Sequence, residues 1–183
     1  MTTNSPRAVF VFLDGVGLGA PGGNNPFSTL DLPGLRKWTD GEVWTSDTAP
    51  IERENHVFRP VDATLGVDGL PQSGTGQASL FSGVNASELA GRHFGPYPHS
   101  ETKSMLAERN LWQQVQTLAA SGEMPTAFAN AYPEVFFEHR QKTGRWTVTT
   151  FCCMNAKVHL RRYTDWQKGR AVTADLTGRA WKT

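Results

Sequence analysis

The chain has 183 residues, 38% of them apolar and 19% charged, enough for a domain with its own hydrophobic core. Its 18 basic and 17 acidic residues leave a formal charge of +1, so no overall attraction to nucleic acid or to a membrane surface is expected. The first apolar run is far too short for a signal or spanning segment, and the only two cysteines, Cys152 and Cys153, are adjacent; a soluble, cytoplasmic protein is expected.

Ala8 to Leu13 (Ala-Val-Phe-Val-Phe-Leu) is continuously apolar and rich in β-branched and aromatic residues, which predicts a strand buried on both faces, as in parallel sheets covered by helices. Asp14-Gly15 ends it. Gly15 to Pro26 holds five glycines and two prolines and predicts a loop. Ser28 to Thr39 has room for a helix turn or two around Leu30, Leu35 and Trp38, and Arg59 to Leu65 predicts a second short strand. Gly66 to Pro71 is turn-rich. A helical pattern then starts at Gly76 with Ala78, Leu80 and Phe81, and Gly83 is its stop.

Gly91 to Pro98 predicts another loop. Glu101 to Ala120 has a helical period that breaks near Asn110. Thr126 to Ala131 is a strand candidate, and Phe136 to Arg140 begins a further helix. Cys152 and Cys153, read as strand neighbours, would point to opposite faces; a disulfide between them is disfavoured and they become small core residues. Lys157, Arg161, Arg162, Lys168 and Arg170 read as a solvated basic face. The pattern from Val172 to Thr177 breaks off without a closing element of its own.

Two positions carry the candidate chemistry. Asp14 closes the first predicted strand, where open α/β sheets bind ligands, and its carboxylate emerges into a glycine-rich loop that leaves space for a divalent cation. Asp-Gly is equally a common turn pair. Ser73, in Leu-Pro-Gln-Ser-Gly-Thr-Gly-Gln-Ala (70–78), stands before a predicted helix, whose free N–H groups and dipole would stabilise an alkoxide or a phosphate. Gly74 and Gly76 would let a phosphoryl group approach the backbone. The same pattern suits an ordinary N-cap, and Thr75 is the alternative nucleophile. A metal on Asp14 could lower the pKa of the Ser73 hydroxyl if the two converge at one end of a sheet.

Val11-Phe12-Leu13-Asp14-Gly15-Val16-Gly17, with Asn24-Asn25-Pro26-Phe27, resembles the opening of cofactor-independent phosphoglycerate mutase and its relatives in the alkaline-phosphatase superfamily. Leu70 to Ala86 resembles their nucleophile loop and helix. Gly91 to Pro96, Phe128 to Pro133 and Gly169 to Thr177 are similar to the bacterial phosphoglyceromutase-like metalloenzyme-domain proteins. The resemblance covers nearly all of the chain but only the first part of the family's length. It implies an α/β fold: a parallel-sheet core, incomplete at the C-terminus, in residues 1–90, and an inserted cap-like region with the start of a return to the core in 91–183.

It further implies that Asp14 and Ser73 are ligands to two divalent ions (Mn, Zn or Mg), that Ser73 becomes phosphorylated, and that the substrate is a small phosphorylated molecule. Where the mutases have a histidine, this chain has Gln77. The family's later Asp-x-x-Gly-His and Asp-His-Gly motifs, which supply the other metal ligands, do not occur. The five histidines (His56, His93, His99, His139 and His159) stand in other contexts. The chain alone is therefore expected to bind metal weakly or not at all and to turn over slowly or not at all. A second reading is a truncated or split non-catalytic fragment that needs a companion chain to supply the missing ligands. A third is a dinucleotide-binding domain, because Gly15 to Ala20 fits G-x-G-x-x-A; Pro21 to Pro26 breaks the helix that this fingerprint needs.

Overall fold

The computed structural model describes residues 7–118, 126–174 and 179–181. The chain forms two compact units, Met1–Asp62 and Ala63–Thr183, each built around its own contacts.

In the first unit the expected strand does not form. Residues 8–13 form no strand, and Val9 and Val11 stand 89% and 71% exposed. A strand's backbone is satisfied by its neighbours, so an apolar, β-branched run by itself specifies the propensity without the ladder. Asp14 and Gly15 form a turn with Gly15 at φ 71°, a conformation glycine adopts without steric cost. The loop that follows is organised by Asn25: its amide donates to the carbonyls of Gly19 (3.2 Å) and Ala20 (3.0 Å), and its side-chain oxygen accepts from the Phe27 N–H at 3.0 Å. Asn25 thereby caps α1 (Pro26–Thr29), with Pro26 at the first helical position. Helix α2 (Pro33–Arg36) also begins on a proline, though without a side-chain cap, and tightens into a 3₁₀ turn, Lys37–Thr39.

A two-residue turn joins β1 (Ile51–Arg53) to β2 (His56–Phe58), antiparallel, with Ile51 opposite Phe58. The strand expected over Arg59 to Leu65 is displaced to these earlier residues. Pro60 cannot donate to a ladder, and residues 63–66 turn, with Leu65 at φ 53°. Packing in this unit centres on Trp44, whose ring stacks on Phe27 and tilts against Phe58 while its indole N–H donates to the Leu35 carbonyl at 3.0 Å.

The second unit is mixed α/β. Helix α3 (Ser73–Ser82) ends at Gly83 in the left-handed conformation, as the sequence predicted, and α4 (Ala86–Ala90) follows, capped by Asn85. The long helical pattern divides into α5 (Ser100–Glu108) and α6 (Leu111–Leu118). The break at Asn110 has a clear cause. Its side-chain oxygen accepts from the Gln113 N–H (3.3 Å), and the Gln113 side chain accepts from the Asn110 N–H (3.1 Å), a reciprocal cap that starts a new helix. Next come β3 (Asn130–Tyr132), α7 (Glu134–Thr143) and α8 (Val148–Asn155). The last elements are β4 (Arg161–Arg162), α9 (Tyr163–Gln167), β5 (Val172–Thr173) and a 3₁₀ turn, Arg179–Trp181. The expected strand from Thr126 thus begins only at Asn130, and part of the pattern to Thr177 lies outside the described residues.

The sheet is small and parallel, in the order β4-β3-β5, with Ala131 opposite Arg161 on one side and Thr173 on the other. Cys152 and Cys153 lie on a helix, not a strand. Both are buried: Cys152 joins Ala78, Phe81, Leu106 and Val148, and Cys153 joins Phe137, Val158 and Leu160. Trp112 packs against both clusters and ties them together.

Candidate functional site

Helix α3 begins without a side-chain cap. Gln72 occupies the N-cap in extended conformation and its side chain makes no capping bond, so Ser73 is the first helical residue. The helix start is held instead by a loop. The Thr75 N–H donates to the Phe94 carbonyl at 2.7 Å, and the Phe94 N–H donates to the Thr75 hydroxyl at 3.3 Å. The Thr75 hydroxyl in turn donates to the Gln72 carbonyl at 3.4 Å. Thr75, 2% exposed, is fully engaged in this clasp.

Two glycines make the clasp possible. A Cβ on Gly74 would lie 2.4 Å from the Phe94 oxygen and 2.5 Å from the Gly95 Cα; a Cβ on Gly95 would lie 2.6 Å from the Gly74 nitrogen. Backbone packs on backbone here, and no other residue fits either position unchanged. The room beside Gly74, expected to be open to a ligand, is therefore filled by the loop. Gly76 meets nothing within 4 Å. It lies three residues beyond Ser73, on the same helix face, and is the glycine that leaves space beside the serine.

Ser73 is half-buried, and its hydroxyl has no hydrogen-bond partner among the described residues. Gly95 is its close neighbour, at 3.5 Å from the serine oxygen to the position a Gly95 Cβ would take. Gln77 follows on the same face, four residues along. Its side-chain oxygen accepts from the Thr149 hydroxyl on α8 at 2.7 Å, which fixes the amide and leaves its NH₂ as a donor.

The histidines are engaged elsewhere. His93 Nε2 stands 3.0 Å from the Val67 carbonyl, which can only accept, so Nε2 carries the proton and Nδ1 accepts from Ser87 at 3.3 Å. His99 Nδ1 accepts from the Glu101 N–H at the start of α5. His56 contacts the Trp38 carbonyl, His139 the Tyr97 hydroxyl, and His159 the Asp165 carboxylate. Burial pushes the thiols of Cys152 and Cys153 up to about 12, which removes them as thiolate nucleophiles or ligands near neutral pH.

Asp14 belongs to the first unit and Ser73 to the second. Asp14 is an exposed turn residue. After it the backbone curves around an open hollow of about 590 Å³, lined by Gly17, Gly19, Asn24 and Phe27 among others. No helix starts at Gly17, and the first helix begins only at Pro26, so the dinucleotide fingerprint lacks its phosphate-binding helix. Among the described residues no three His, Cys, Asp or Glu side chains gather where they could hold a metal ion. One carboxylate and one serine fall short of a two-metal centre, and the described residues do not form one. No described helix is long and apolar enough to cross a membrane.

Comparison of the chain with protein-family models, with curated proteins and with solved structures found no match.

Sequence reasoning named Ser73 as a candidate and missed the Gly74–Gly95 clasp beside it. The only sequence signal was two glycines 21 positions apart, one in the first turn of α3 and one in a loop, and nothing local pairs them.

Proposed function

We propose that this chain carries the nucleophile of a phosphoryl-transfer enzyme of the phosphoglycerate mutase-like type, with Ser73 as the residue that is phosphorylated. One observation carries the reading: at the start of α3 the threonine hydroxyl is buried and bonded, while the serine hydroxyl two positions earlier is half-exposed and unengaged. The serine stands at the positive end of a ten-residue helix, beside the open space at Gly76. Ser73 Oγ attacks the phosphorus of a small phosphate ester in line with the leaving oxygen. The new Ser73 O–P bond replaces the ester P–O bond, and the serine proton goes to the departing alcohol. Water or a second hydroxyl then attacks the phosphoserine and regenerates the serine, giving hydrolysis or transfer. In this reading the Gln77 NH₂ donates to a phosphoryl oxygen during both steps.

Asp14 is proposed as a metal ligand on the family resemblance alone. A centre of two divalent ions needs donors beyond Asp14 and Ser73, and a companion chain is the proposed source. By itself the chain binds metal weakly and turns over slowly or not at all. The test is peptide mapping of the protein isolated from the cells that produce it. A phosphorylated peptide should span residue 73, with the phosphate on Ser73, and should vanish in Ser73→Ala. Phosphate confined to Thr75, or absent under conditions that preserve phosphoserine, would overturn the assignment.

A further inference from the structure

The chain contains three Asp-Gly pairs: Asp14-Gly15, Asp40-Gly41 and Asp68-Gly69. At each, the backbone can attack the side chain that precedes it. Glycine has no Cβ to shield its nitrogen, and it turns through conformations closed to other residues, so its N–H can swing onto the aspartate carboxyl. All three aspartates are exposed, yet the structure restrains the pairs differently.

Asp40-Gly41 is held at both reacting ends. The Gly41 N–H donates to the Arg36 carbonyl at 2.8 Å, and the two Asp40 carboxylate oxygens accept from the Arg53 guanidinium. The bond from Arg53 also holds the Asp40 carboxyl below its ordinary range, which thins the protonated form that the reaction consumes. Asp68-Gly69 is held through its neighbours. The Val67 N–H donates to the Thr64 carbonyl at 3.0 Å, the Val67 carbonyl accepts from His93 at 3.0 Å, and the His93 ring lies 3.5 Å from the Cβ position of Gly69. Asp14-Gly15 has none of these restraints. Neither the Asp14 carboxylate nor the Gly15 N–H has a hydrogen-bond or ion-pair partner among the described residues, and nothing lies within 4 Å of a Cβ built on Gly15. The residues on either side, Leu13 and Val16, are 53% and 41% exposed, so little packing holds the turn.

We infer that Asp14-Gly15 is a site of spontaneous isoaspartate formation, the pair of the three that the fold leaves freest to react. The Gly15 nitrogen attacks Cγ of Asp14. An N–Cγ bond forms and a Cγ–O bond breaks; the amide proton and one proton from solvent leave with that oxygen as water. Water then adds to the Asp14 main-chain carbonyl carbon, now part of a five-membered ring, and the bond from that carbon to the Gly15 nitrogen breaks. The nitrogen regains a proton, the solvent regains the one it gave, and a carboxylate is left on Cα. The main chain now runs through Cβ and Cγ and is one carbon longer. This chemistry is independent of the reading of Ser73. It does strike the residue proposed above as a metal ligand, so an aged chain presents that carboxylate one carbon nearer the backbone.

The test is ageing of the purified full chain at neutral pH, both native and in denaturant. Isoaspartate is read site by site with electron-transfer mass spectrometry, which cleaves the Cα–Cβ bond that isoaspartate places in the main chain. Unfolded, the three pairs should react at similar rates, because each keeps only its local chemistry. Native, Asp14 should stay close to its unfolded rate, whereas Asp40 should slow by about tenfold or more, the worth of one hydrogen bond that must open before the nitrogen can attack. Asp68 should lie between them. Asp14→Glu should erase the signal at residue 14, because the larger ring closes far more slowly, and circular dichroism checks its fold. The native-to-unfolded comparison needs no variant at all. A native Asp14 rate slowed as much as that of Asp40, isoaspartate at Asp68 equal to or above that at Asp14, or a signal at residue 14 that persists in Asp14→Glu would overturn the inference.

Discussion

Replacing Gly74 by alanine tests the clasp directly. The added methyl would sit 2.4 Å from the Phe94 oxygen and 2.5 Å from the Gly95 Cα, both backbone atoms that no rotamer change can move. Ordinary contact begins near 3.5 Å, so the loop must retreat by about 1 Å, in the range of overpacking that costs about 1–3 kcal/mol. The retreat also lengthens the 2.7 Å bond from the Thr75 N–H to Phe94, worth about 1 kcal/mol. Alanine's better helix propensity returns at most about 1 kcal/mol. The net expectation is a loss of about 2 kcal/mol or more. Gly76→Ala is the matched control on the same helix: nothing lies within 4 Å of its Cβ and its φ is ordinary, so it should gain about 0.5–1 kcal/mol. Urea unfolding followed by far-ultraviolet circular dichroism, with hydrogen exchange of the α3 amides as a local readout, measures both. Gly74→Ala within 0.5 kcal/mol of wild type, or the two alanines equally destabilising, would refute the clasp.

Three other outcomes follow from the packing. Asn110 is fully buried and its amide donates to the Leu106 carbonyl at 2.9 Å and to Gln113 at 2.7 Å; Asn110→Ala should cost about 2 kcal/mol and fray the start of α6, measured by urea unfolding and exchange at residues 111–114. The thiols of Cys152 and Cys153 are raised by burial from 9.0 to about 12, so their contribution to stability is complete below about pH 9 and is lost as pH rises toward 12; Cys152→Ala/Cys153→Ala should flatten that alkaline loss in melting temperature, and a thiol reagent at pH 8 should modify the native protein far more slowly than the unfolded chain. The Asp165 carboxyl is held below its ordinary value of 3.8 by the Arg162 N–H first and His159 second; its contribution is present above that value and is lost as pH falls through the lower folded one, so Asp165→Asn should flatten the acid limb of a melting-temperature profile.

Elements whose signals are local were legible in the sequence. The stop of α3 at Gly83, the short turns around Leu35 and the start of a helix near Phe136 each depend on a few consecutive residues, and each is present. The division at Asn110 was readable for the same reason: the cap and its partner are three residues apart. Elements that need a distant partner were not. Ala8 to Leu13 has the composition of a buried strand, but a ladder requires neighbours that composition does not name, and residues 8–13 are not in strand conformation. Cys152 and Cys153 were rightly read as core residues and wrongly placed on a strand, because a β-branched start at Val148 and Thr149 was outweighed by the packing of α8 against α3 and α5. At the candidate site, the glycine-flanked setting singled out Ser73 and Thr75 as candidates, and local sequence left the choice between them open. That choice turns on Phe94, 19 residues further along, which engages one hydroxyl and leaves the other alone.

The start of α3 is an uneconomical way to begin a helix, and that supports the proposed role for Ser73. An N-cap serine or threonine stabilises a helix by about 1 kcal/mol, and here a serine is available one position too late while Gln72 holds the cap without a capping bond. The orphan donor at Thr75 is satisfied by a carbonyl from another loop, at the cost of fixing two glycines in backbone-to-backbone contact. A helix selected only for stability would shift the register by one residue and cap itself with Ser73. The arrangement observed keeps the serine hydroxyl free at the positive end of the helix, next to the open side of Gly76. Such a sacrifice of local stability at a polar, half-exposed group accords with the role proposed for Ser73. The register explains the hydroxyl's freedom.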